Sequence, residues 1–303
     1  MINGDDICIV CINPAFANAG VLQKALNCKI VAEKLEFKGF HKVCTKPVGS
    51  ISNIPEAKHY IFAGSGVLLR IDASKLKGRK SVIISDSHYL EHTEAIDKII
   101  EDNNMEVSCM IDLWDVCKHE KRAYFQPFEQ FDVDNTKSDV LTVCHSPSVK
   151  VKTNQKGSAQ IESVVKRIQD ENRVGNLNYM CITDETWSGT IKRKASAQVF
   201  VDQLVMKNHY ASKGYRGGIG KSGLEGMLLK CLTISSGNPI ETDVPAPPYV
   251  IANSSGELYM KMCYYLESPN VRSKMIERQF EWARKYTSLE NVAKRILQNK
   301  SEI

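Results

Sequence analysis

Short apolar runs alternate with amphipathic segments along the first part of the chain. Continuous apolar runs are typical of parallel strands covered on both faces, and they predict strands at Asp6–Ile12, Lys42–Thr45, Tyr60–Ala63, Ser81–Ser85 and Val107–Ile111. Helical spacing between them predicts helices at Val21–Asn27, Gly66–Asp72 and Glu91–Asp102. Strands that alternate with helices indicate a parallel sheet with helices on both faces.

Tyr124–Asp139 loses this periodicity and gains polar residues, which is typical of a linker. The alternation then begins again, with strands predicted at Val140–Cys144, Leu177–Ile182, Gln198–Leu204, Cys231–Ser235 and Tyr249–Ala252. Helices are predicted at Gly157–Asn172, Trp187–Ala197, Gly256–Leu266, Pro269–Tyr286 and Ser288–Gln298. We therefore predict an α/β chain of two Rossmann-like domains, at residues 1–138 and 139–303, with a last helix that is able to pack back on the first domain.

Composition is that of a globular protein with room for two domains, since 43% of the 303 residues are hydrophobic and 25% are charged. No apolar run reaches the roughly 20 residues that span a bilayer, and the N-terminus lacks signal-peptide features. The ten cysteines form no C-x-x-C pair, so we expect buried thiols in a reducing cytoplasm and no metal site. The net charge of +5 favours anionic partners without choosing among them.

Tyr210–Leu229 carries six glycines between a predicted strand and a predicted helix. This order presents backbone N–H groups and a helix N-terminus, which together bind phosphate. Glu225 lies about one turn inside the helix, within reach of a ligand held by the loop. Three basic residues add positive charge to the loop, namely Lys213, Arg216 and Lys221. The stretch predicts a loop that binds the nucleotide part of a donor molecule.

Other readings of the glycine-rich stretch stay open. It is also compatible with a flexible connection, because single glycine motifs are common. The tail Gly220-Lys221-Ser222 fits a Walker P-loop, but Tyr215 occupies the position where that motif needs its first glycine. A nicotinamide-binding domain is disfavoured, because no G-x-G-x-x-G follows the first strand.

Polar residues after the strands of the first half are candidates for an acceptor site. Asp86 and His88 follow one predicted strand, where a carboxylate and an imidazole can orient or deprotonate a hydroxyl. The alternative is a helix-capping aspartate beside a surface histidine. Further candidates for acceptor or cleft contacts are Asn18, Gly20, Ser65 and His145.

Two motifs of the second half resemble a known family in residues and in order. His145-Ser146-Pro147-Ser148, followed by Lys156-Gly157-Ser158, is similar to an H-S-P-S … K-G-T segment. Asp202-Gln203, followed by Gly220 and Gly223-Leu224-Glu225-Gly226-Met227, is similar to D-Q … G … G-L-E-A-M. These landmarks resemble the group 1 nucleotide-sugar glycosyltransferases, whose GT-B architecture has two Rossmann-like domains facing across a cleft. The resemblance covers roughly Val140 to Ser236, and the first domain only by architecture.

The resemblance implies roles for particular residues. Glu225 would bind the ribose hydroxyls of a UDP- or GDP-sugar, and basic residues would neutralise its diphosphate, these being Lys150, Lys152 and Lys156. Other implied donor contacts are Gly157, Gly220, Lys221, Ser222 and Gly223. Such enzymes usually need no metal for this step.

One departure from the family pattern leaves the chemistry open. Many retaining members carry a further glutamate eight positions before Glu225, where this chain has Gly217. The sugar and the stereochemical class are therefore undetermined. An inverting reaction needs a base, for which Asp86 or His88 is the candidate.

The acceptor and the cellular role allow several hypotheses. One hypothesis is that this basic, cytoplasmic chain transfers the sugar to a 5-hydroxymethylated pyrimidine in DNA, as phage-type DNA glycosyltransferases do. In that case, it would act in the host cytoplasm. DNA phosphates would then meet a basic cluster of Lys75, Lys77, Arg79 and Lys80. The same cluster suits peripheral contact with an anionic membrane, where cell-surface or lipid-linked glycans are built. Gly217 also fits a non-catalytic nucleotide-binding protein with a degenerate fold, and the oligomeric state stays open.

Overall fold

The computed structural model describes residues 6–12, 19–32, 54–85, 88–129, 131, 133–147, 156–204, 214–215, 217–237, 240 and 242–298. The strands are β1 (Ile7–Cys11), β2 (Lys29–Ala32), β3 (His59–Ala63), β4 (Arg79–Ile84), β5 (Glu106–Met110), β6 (Lys121–Tyr124), β7 (Leu141–His145), β8 (Leu177–Cys181), β9 (Val199–Val201), β10 (Leu232–Ser235) and β11 (Val250–Ile251). The helices are α1 (Ala19–Leu26), α2 (His88–Glu91), α3 (Thr93–Asp102), α4 (Ser158–Asp170), α5 (Trp187–Ala195), α6 (Lys221–Leu228), α7 (Ser255–Glu267), α8 (Pro269–Tyr286) and α9 (Leu289–Leu297).

The chain divides into two compact units. One unit joins Met1–Glu129 to Thr287–Ile303, and the other is Gln130–Tyr286. The first unit therefore consists of two chain segments, and α9 belongs to it.

The first unit contains a six-stranded parallel sheet in the order β2-β1-β3-β4-β5-β6. Strands β1 and β3 are buried along their whole length, because their apolar side chains are covered on both faces. On one face, α9 packs in a single cluster with α1 and the sheet, through Leu22, Leu26, Val292, Ala293 and Ile296.

Two arginines of the first sheet bind the end of α9. The guanidinium of Arg79 donates to the carbonyl oxygens of Leu297 at 3.1 Å and Gln298 at 2.8 Å. Arg122 donates to the carbonyl oxygens of Arg295 at 3.2 Å and Gln298 at 2.6 Å. The last carbonyls of a helix have no partner within it and carry partial negative charge, so these contacts satisfy and stabilise the end of α9.

The second unit contains a five-stranded parallel sheet in the order β11-β10-β9-β7-β8. Helix α4 buries one apolar stripe, Ile161, Val164, Val165 and Ile168, as its spacing predicts. Gln279 of α8 is fully buried and bonds both the N–H and the carbonyl of Thr233 in β10, at 2.8 and 3.0 Å. These contacts fix α8 against the sheet.

The α/β fold with parallel sheets is confirmed, and several elements differ from prediction. Strand β6 was not predicted, because this edge strand has no apolar run and only Ala123 and Tyr124 are buried, and the predicted linker began at Tyr124. Strand β2 was likewise not predicted. The helix expected at Gly66–Asp72 is a 3₁₀ helix, Ser65–Arg70. Lys42–Thr45 lies outside the described residues. Within the described residues, no helix is long and apolar enough to cross a membrane.

Candidate functional site

The carboxyl edge of the second sheet brings the sequence motifs together. Strand β7 ends at His145, β9 ends just before Asp202, and β10 ends at Ser235. These strands are parallel neighbours, so their ends lie at one edge. Ligands of open α/β sheets bind at this edge, beyond the ends of the strands.

Asp202 forms hydrogen bonds to two loops at this edge, one containing Lys156 and the other Gly220. Its side chain is fully buried, and Oδ1 accepts a hydrogen bond from Lys156 Nζ at 2.9 Å. Its Oδ2 accepts from the backbone N–H of Gly220 at 2.9 Å. The backbone N–H of Leu204 also donates to the carbonyl of Lys156 at 2.9 Å. The Lys156 side chain is 26% exposed, so it is held by Asp202 and still partly open to solvent.

Residues 217–220 of the glycine-rich loop are held against the strand ends. The carbonyl oxygen of Gly218 accepts from Gln203 Nε2 and from Ser235 Oγ, each at 2.7 Å. Gly217 and Gly218 have φ angles of 86° and 137°, which residues with a Cβ rarely adopt. A glutamate at 217, as in many members of the resembling family, would be strained in this backbone. In this part, the stretch is a fixed loop rather than a flexible connection.

Helix α6 starts at the end of this loop. Gly220 is its N-cap and has no side chain, so no capping side chain occupies the first N–H groups of the helix. A Cβ at Gly223 would lie 2.5 Å from Ile219 Cγ1 and 2.9 Å from Asp202 Oδ2, which explains the glycine there. Burial lowers the pKa of Lys221, and the Lys194 ammonium acts in the same direction, against the opposing effect of Glu225.

Glu225 lies in a buried charged network. It is 4% exposed, and its Oε2 accepts from Lys194 Nζ at 2.8 Å while its Oε1 accepts from Trp187 Nε1 at 3.0 Å. Lys194 is fully buried, donates also to Ser222 Oγ at 2.9 Å, and lies 4.4 Å from the centre of the Phe200 ring. Each carboxylate oxygen therefore has a protein donor and one further lone pair. The ribose-binding role that the resemblance implies for Glu225 stays a prediction.

His145 is buried at the end of β7 and links two neighbouring elements by hydrogen bonds. It is fully buried, with Nδ1 2.8 Å from the Val201 carbonyl oxygen and Nε2 2.9 Å from Ser158 Oγ. A carbonyl only accepts, so Nδ1 carries the proton and Nε2 accepts from the Ser158 hydroxyl. Burial lowers the pKa of His145 to about 4, so the ring is neutral at pH 7. The predicted acceptor contact is corrected accordingly: His145 positions the start of α4.

The other predicted donor residues at α4 are partly described. Gly157 has a φ of 71°, and a Cβ there would lie 2.3 Å from the Leu204 carbonyl oxygen, so this glycine permits close packing on the chain after β9. Lys150 and Lys152 lie outside the described residues.

The structure describes only some of the acceptor-site candidates that lie in the first unit. His88 is half-buried at the start of α2 and packs on Gly66, where a Cβ would lie 3.0 Å from the imidazole Cγ. Ser65 is fully buried at the start of the 3₁₀ helix, so it is not a surface contact. Gly20 lies within α1 and is half-buried. Asp86 and Asn18 lie outside the described residues.

Sequence reasoning missed Trp187 and the role of Lys194 as the partner of Glu225. A lysine in a predicted helix reads as a solvent-facing charge, and only its position across from the α6 glutamate reveals the pair. Among the described residues, no cluster of three or more His, Cys, Asp or Glu side chains is arranged to hold a metal ion.

No protein-family model matches the sequence, and no curated protein matches it significantly. Among solved structures, Anabaena HepE in complex with UDP and glucose is similar over 99% of this chain and 100% of HepE, with a TM-score of 0.63 and 7% identity. A sucrose-phosphate synthase from Thermosynechococcus elongatus is similar over 96% of this chain and 97% of its own, with a TM-score of 0.61 and 11% identity.

A third similar structure is an S. aureus TarM mutant in complex with fondaparinux, alpha-GlcNAc-glycerol and UDP. It matches 79% of this chain, which spans 54% of TarM, with a TM-score of 0.55 and 12% identity. Identities this low carry information on the fold alone. With the two parallel sheets, they show that the chain has the GT-B fold.

Proposed function

We propose that the chain transfers a sugar from a nucleotide-sugar donor to a hydroxyl acceptor. The observation that carries this proposal is the convergence of Lys156, the N-terminus of α6 and Glu225 at one sheet edge, with Asp202 bonding the first two. A cation and a helix N-terminus suit a diphosphate, and a carboxylate next to them suits a ribose.

The positive groups of the site suit a reaction in which negative charge develops on the leaving group. When the bond to the sugar breaks, negative charge accumulates on the leaving diphosphate. The Lys156 ammonium and the α6 N–H groups stabilise this charge without reorganising, because Asp202 already fixes both. The complexes of HepE with UDP and glucose and of TarM with UDP support this donor class.

Glu225 would accept the two ribose hydroxyls through the lone pairs that Trp187 and Lys194 leave available. For such contact, the ribose must reach the 4% of Glu225 that is exposed. The fixed network keeps the carboxylate oriented before the donor arrives, which lowers the entropic cost of binding.

Donor binding is tested by calorimetric titration of UDP, GDP and their sugars into the wild-type chain, K156M and E225Q. We expect each substitution to weaken binding at least tenfold, since each removes a charge-assisted contact. The matched control is K166M, which alters an exposed lysine on the outer face of α4. Equal affinity of wild type, K156M and E225Q would contradict the proposal.

For the acceptor, we propose a 5-hydroxymethylated pyrimidine in DNA. The net charge of +5 and the exposed Lys77 support an anionic partner, whereas the exposed Lys75 pairs with Asp72 at 3.1 Å. Arg79 does not contribute to such a surface, because it pairs with Glu106 at 2.7 Å and bonds the end of α9. Both Arg79 and Lys77 lie at the amino end of β4, opposite to the edge where ligands of such sheets bind, so Lys77 would contact DNA away from that edge.

The acceptor is tested by incubating the chain and a donor panel with duplexes that contain 5-hydroxymethylcytosine or only unmodified cytosine. A mass increase of one sugar on the modified duplex alone supports the DNA acceptor. Transfer to polyprenyl-linked glycans instead would overturn it in favour of glycan synthesis. Donor binding without hydrolysis or transfer to any acceptor would favour a non-catalytic nucleotide-binding protein.

For the acceptor hydroxyl, we propose that Asp86 and His88 act as base or positioning groups. The support is the position of His88 after the carboxyl end of β4. We expect H88A to lower kcat for transfer while the affinity for the donor stays unchanged. An unchanged kcat in both H88A and D86A would contradict this role.

A further inference from the structure

Trp187 is an aromatic side chain held in place while its surface stays in solvent. It is 55% exposed, although a side chain of this size is usually buried. Its indole Nε1 donates to Glu225 Oε1 at 3.0 Å, and its ring centre lies 6.0 Å from that of Phe131, tilted by 57°. The hydrogen bond and the ring contact hold the indole in place, and more than half of the side chain stays exposed.

The backbone that carries Trp187 is fixed as well. Trp187 is the first residue of α5, whose N-cap Thr186 accepts from the backbone N–H of Gly189 at 3.2 Å. Glu185 packs on Gly189, where a Cβ would lie 2.5 Å from its Oε1, and it pairs with Arg193 at 3.1 Å. A rigid exposed aromatic group loses little entropy when a ligand covers it.

We infer that Trp187 is the stacking platform for the base of the donor nucleotide. The inference rests on the proposed function, in which Glu225 binds the ribose. The base is bonded directly to the ribose, and Trp187 is the aromatic neighbour of the same carboxylate. Aromatic rings beside nucleotide-binding sites stack on bases, because every base has an apolar face.

This arrangement also limits what Trp187 is able to recognise. Its one hydrogen-bond donor, Nε1, is already used by Glu225. Trp187 therefore offers only aromatic surface, which responds to the area of a base and not to its pattern of donors and acceptors. We expect it to contribute to both UDP and GDP binding, with the larger contribution for the larger guanine.

The experiment measures the affinities of UDP, GDP and inorganic pyrophosphate for the wild-type chain, W187A and W187F. For W187A we expect a loss of about tenfold for UDP and more for GDP, as is typical of a lost base stack, and little change for pyrophosphate, which has no base. W187F keeps a ring but loses the bond to Glu225, and should recover most of the nucleotide affinity. Equal weakness of W187F and W187A would assign the effect to the hydrogen bond and overturn the inference.

A fluorescence control identifies the side chain that meets the base. The chain has three tryptophans, and we expect UDP or GDP to quench a component that W187F lacks. The matched control is Y264A, which removes an aromatic side chain that is 53% exposed on α7 and should bind nucleotide like the wild type. Nucleotide binding that W187A leaves unchanged would overturn the platform and leave the proposed function standing. A wild-type chain that binds no nucleotide would overturn both.

Discussion

Lys194 and Glu225 form a buried ion pair whose partners depend on each other. Removing Lys194 leaves a carboxylate at 5% exposure without its main counter-charge. We predict that K194M lowers the free energy of unfolding by about 3–5 kcal/mol, as is usual when one member of a buried pair is removed. Urea denaturation followed by circular dichroism measures this loss.

The double variant K194M/E225Q is the control for this prediction. It removes both charges, so we expect it to be more stable than K194M alone, with a coupling free energy well above the scatter expected of independent sites. Simple addition of the two single-variant effects would contradict a coupled pair.

His145 makes the stability of the second unit depend on pH. Burial lowers its pKa from 6.5 to about 4, so the unfolded chain takes up a proton at a higher pH than the folded chain. The contribution to stability is complete above about pH 6.5 and falls as the pH drops toward 4. Between pH 7.5 and 5, we predict a loss of about 2 kcal/mol from this residue.

Urea denaturation at both pH values, for the wild type and H145Q, checks this prediction. H145Q should flatten the pH dependence without abolishing it, since burial lowers the pKa of His59 in the first unit to about 4 as well. An H145Q variant with the full wild-type pH dependence would show that the imidazole is not the titrating group.

At the level of elements, the contact between α6 and β9 explains a departure from the family pattern. The resemblance has alanine where this chain has Gly226. A Cβ at Gly226 would lie 2.8 Å from Phe200 Cδ1 and 2.9 Å from Thr233 Oγ1. The phenyl ring of β9 thus fills the space of the missing methyl group.

We predict that G226A lowers the free energy of unfolding by about 1–3 kcal/mol through overpacking, despite the better helix propensity of alanine. F200L removes part of the ring, so G226A/F200L should lose less than the two single variants together. Thermal denaturation of the four proteins measures this. A G226A variant as stable as the wild type would contradict the close contact.

Elements with a strong apolar signal were predictable from the sequence. Strands β1 and β3 are buried throughout, so their apolar runs are continuous and their predicted ends are correct to within a residue or so. Edge strand β6 is half polar and has no such signal. The predicted helix at Glu91–Asp102 is interrupted at His92, which separates α2 from α3.

Only those residues of the candidate site that belong to a family motif were predictable from the sequence. The motif comparison selected Lys156 and Glu225 because their spacing is local. The partners of these residues come from other elements, as with Asp202 after β9 and Lys194 in α5, and single-sequence spacing contains no information on such contacts. The positive φ angle of Gly217 likewise follows from the folded backbone and was not predicted from the sequence.

At the scale of the whole molecule, the first unit is completed by the last helix. Val292 and Ile296 of α9 are buried in the core cluster that also contains Leu22 and Leu26. We predict that V292A/I296A increases hydrogen exchange in α1 and β1 and leaves α4 unchanged, because the lost packing belongs to the first unit.

Hydrogen exchange followed by mass spectrometry gives the result for each element. The control is K294A, an exposed position on the same helix, which should leave both units unchanged. Equal increases in α1 and α4 for V292A/I296A would show that the units do not open separately.

The split composition of the first unit sets an order for folding on the ribosome. Synthesis runs from the N-terminus, so α1 and the first sheet are made well before the residues that cover them. Until α9 is made, the apolar surface around Leu22 and Leu26 lacks its partner. The second unit is made as one continuous segment, so we expect it to be the first to reach its native state, while the first unit stays incomplete until α9 has been made.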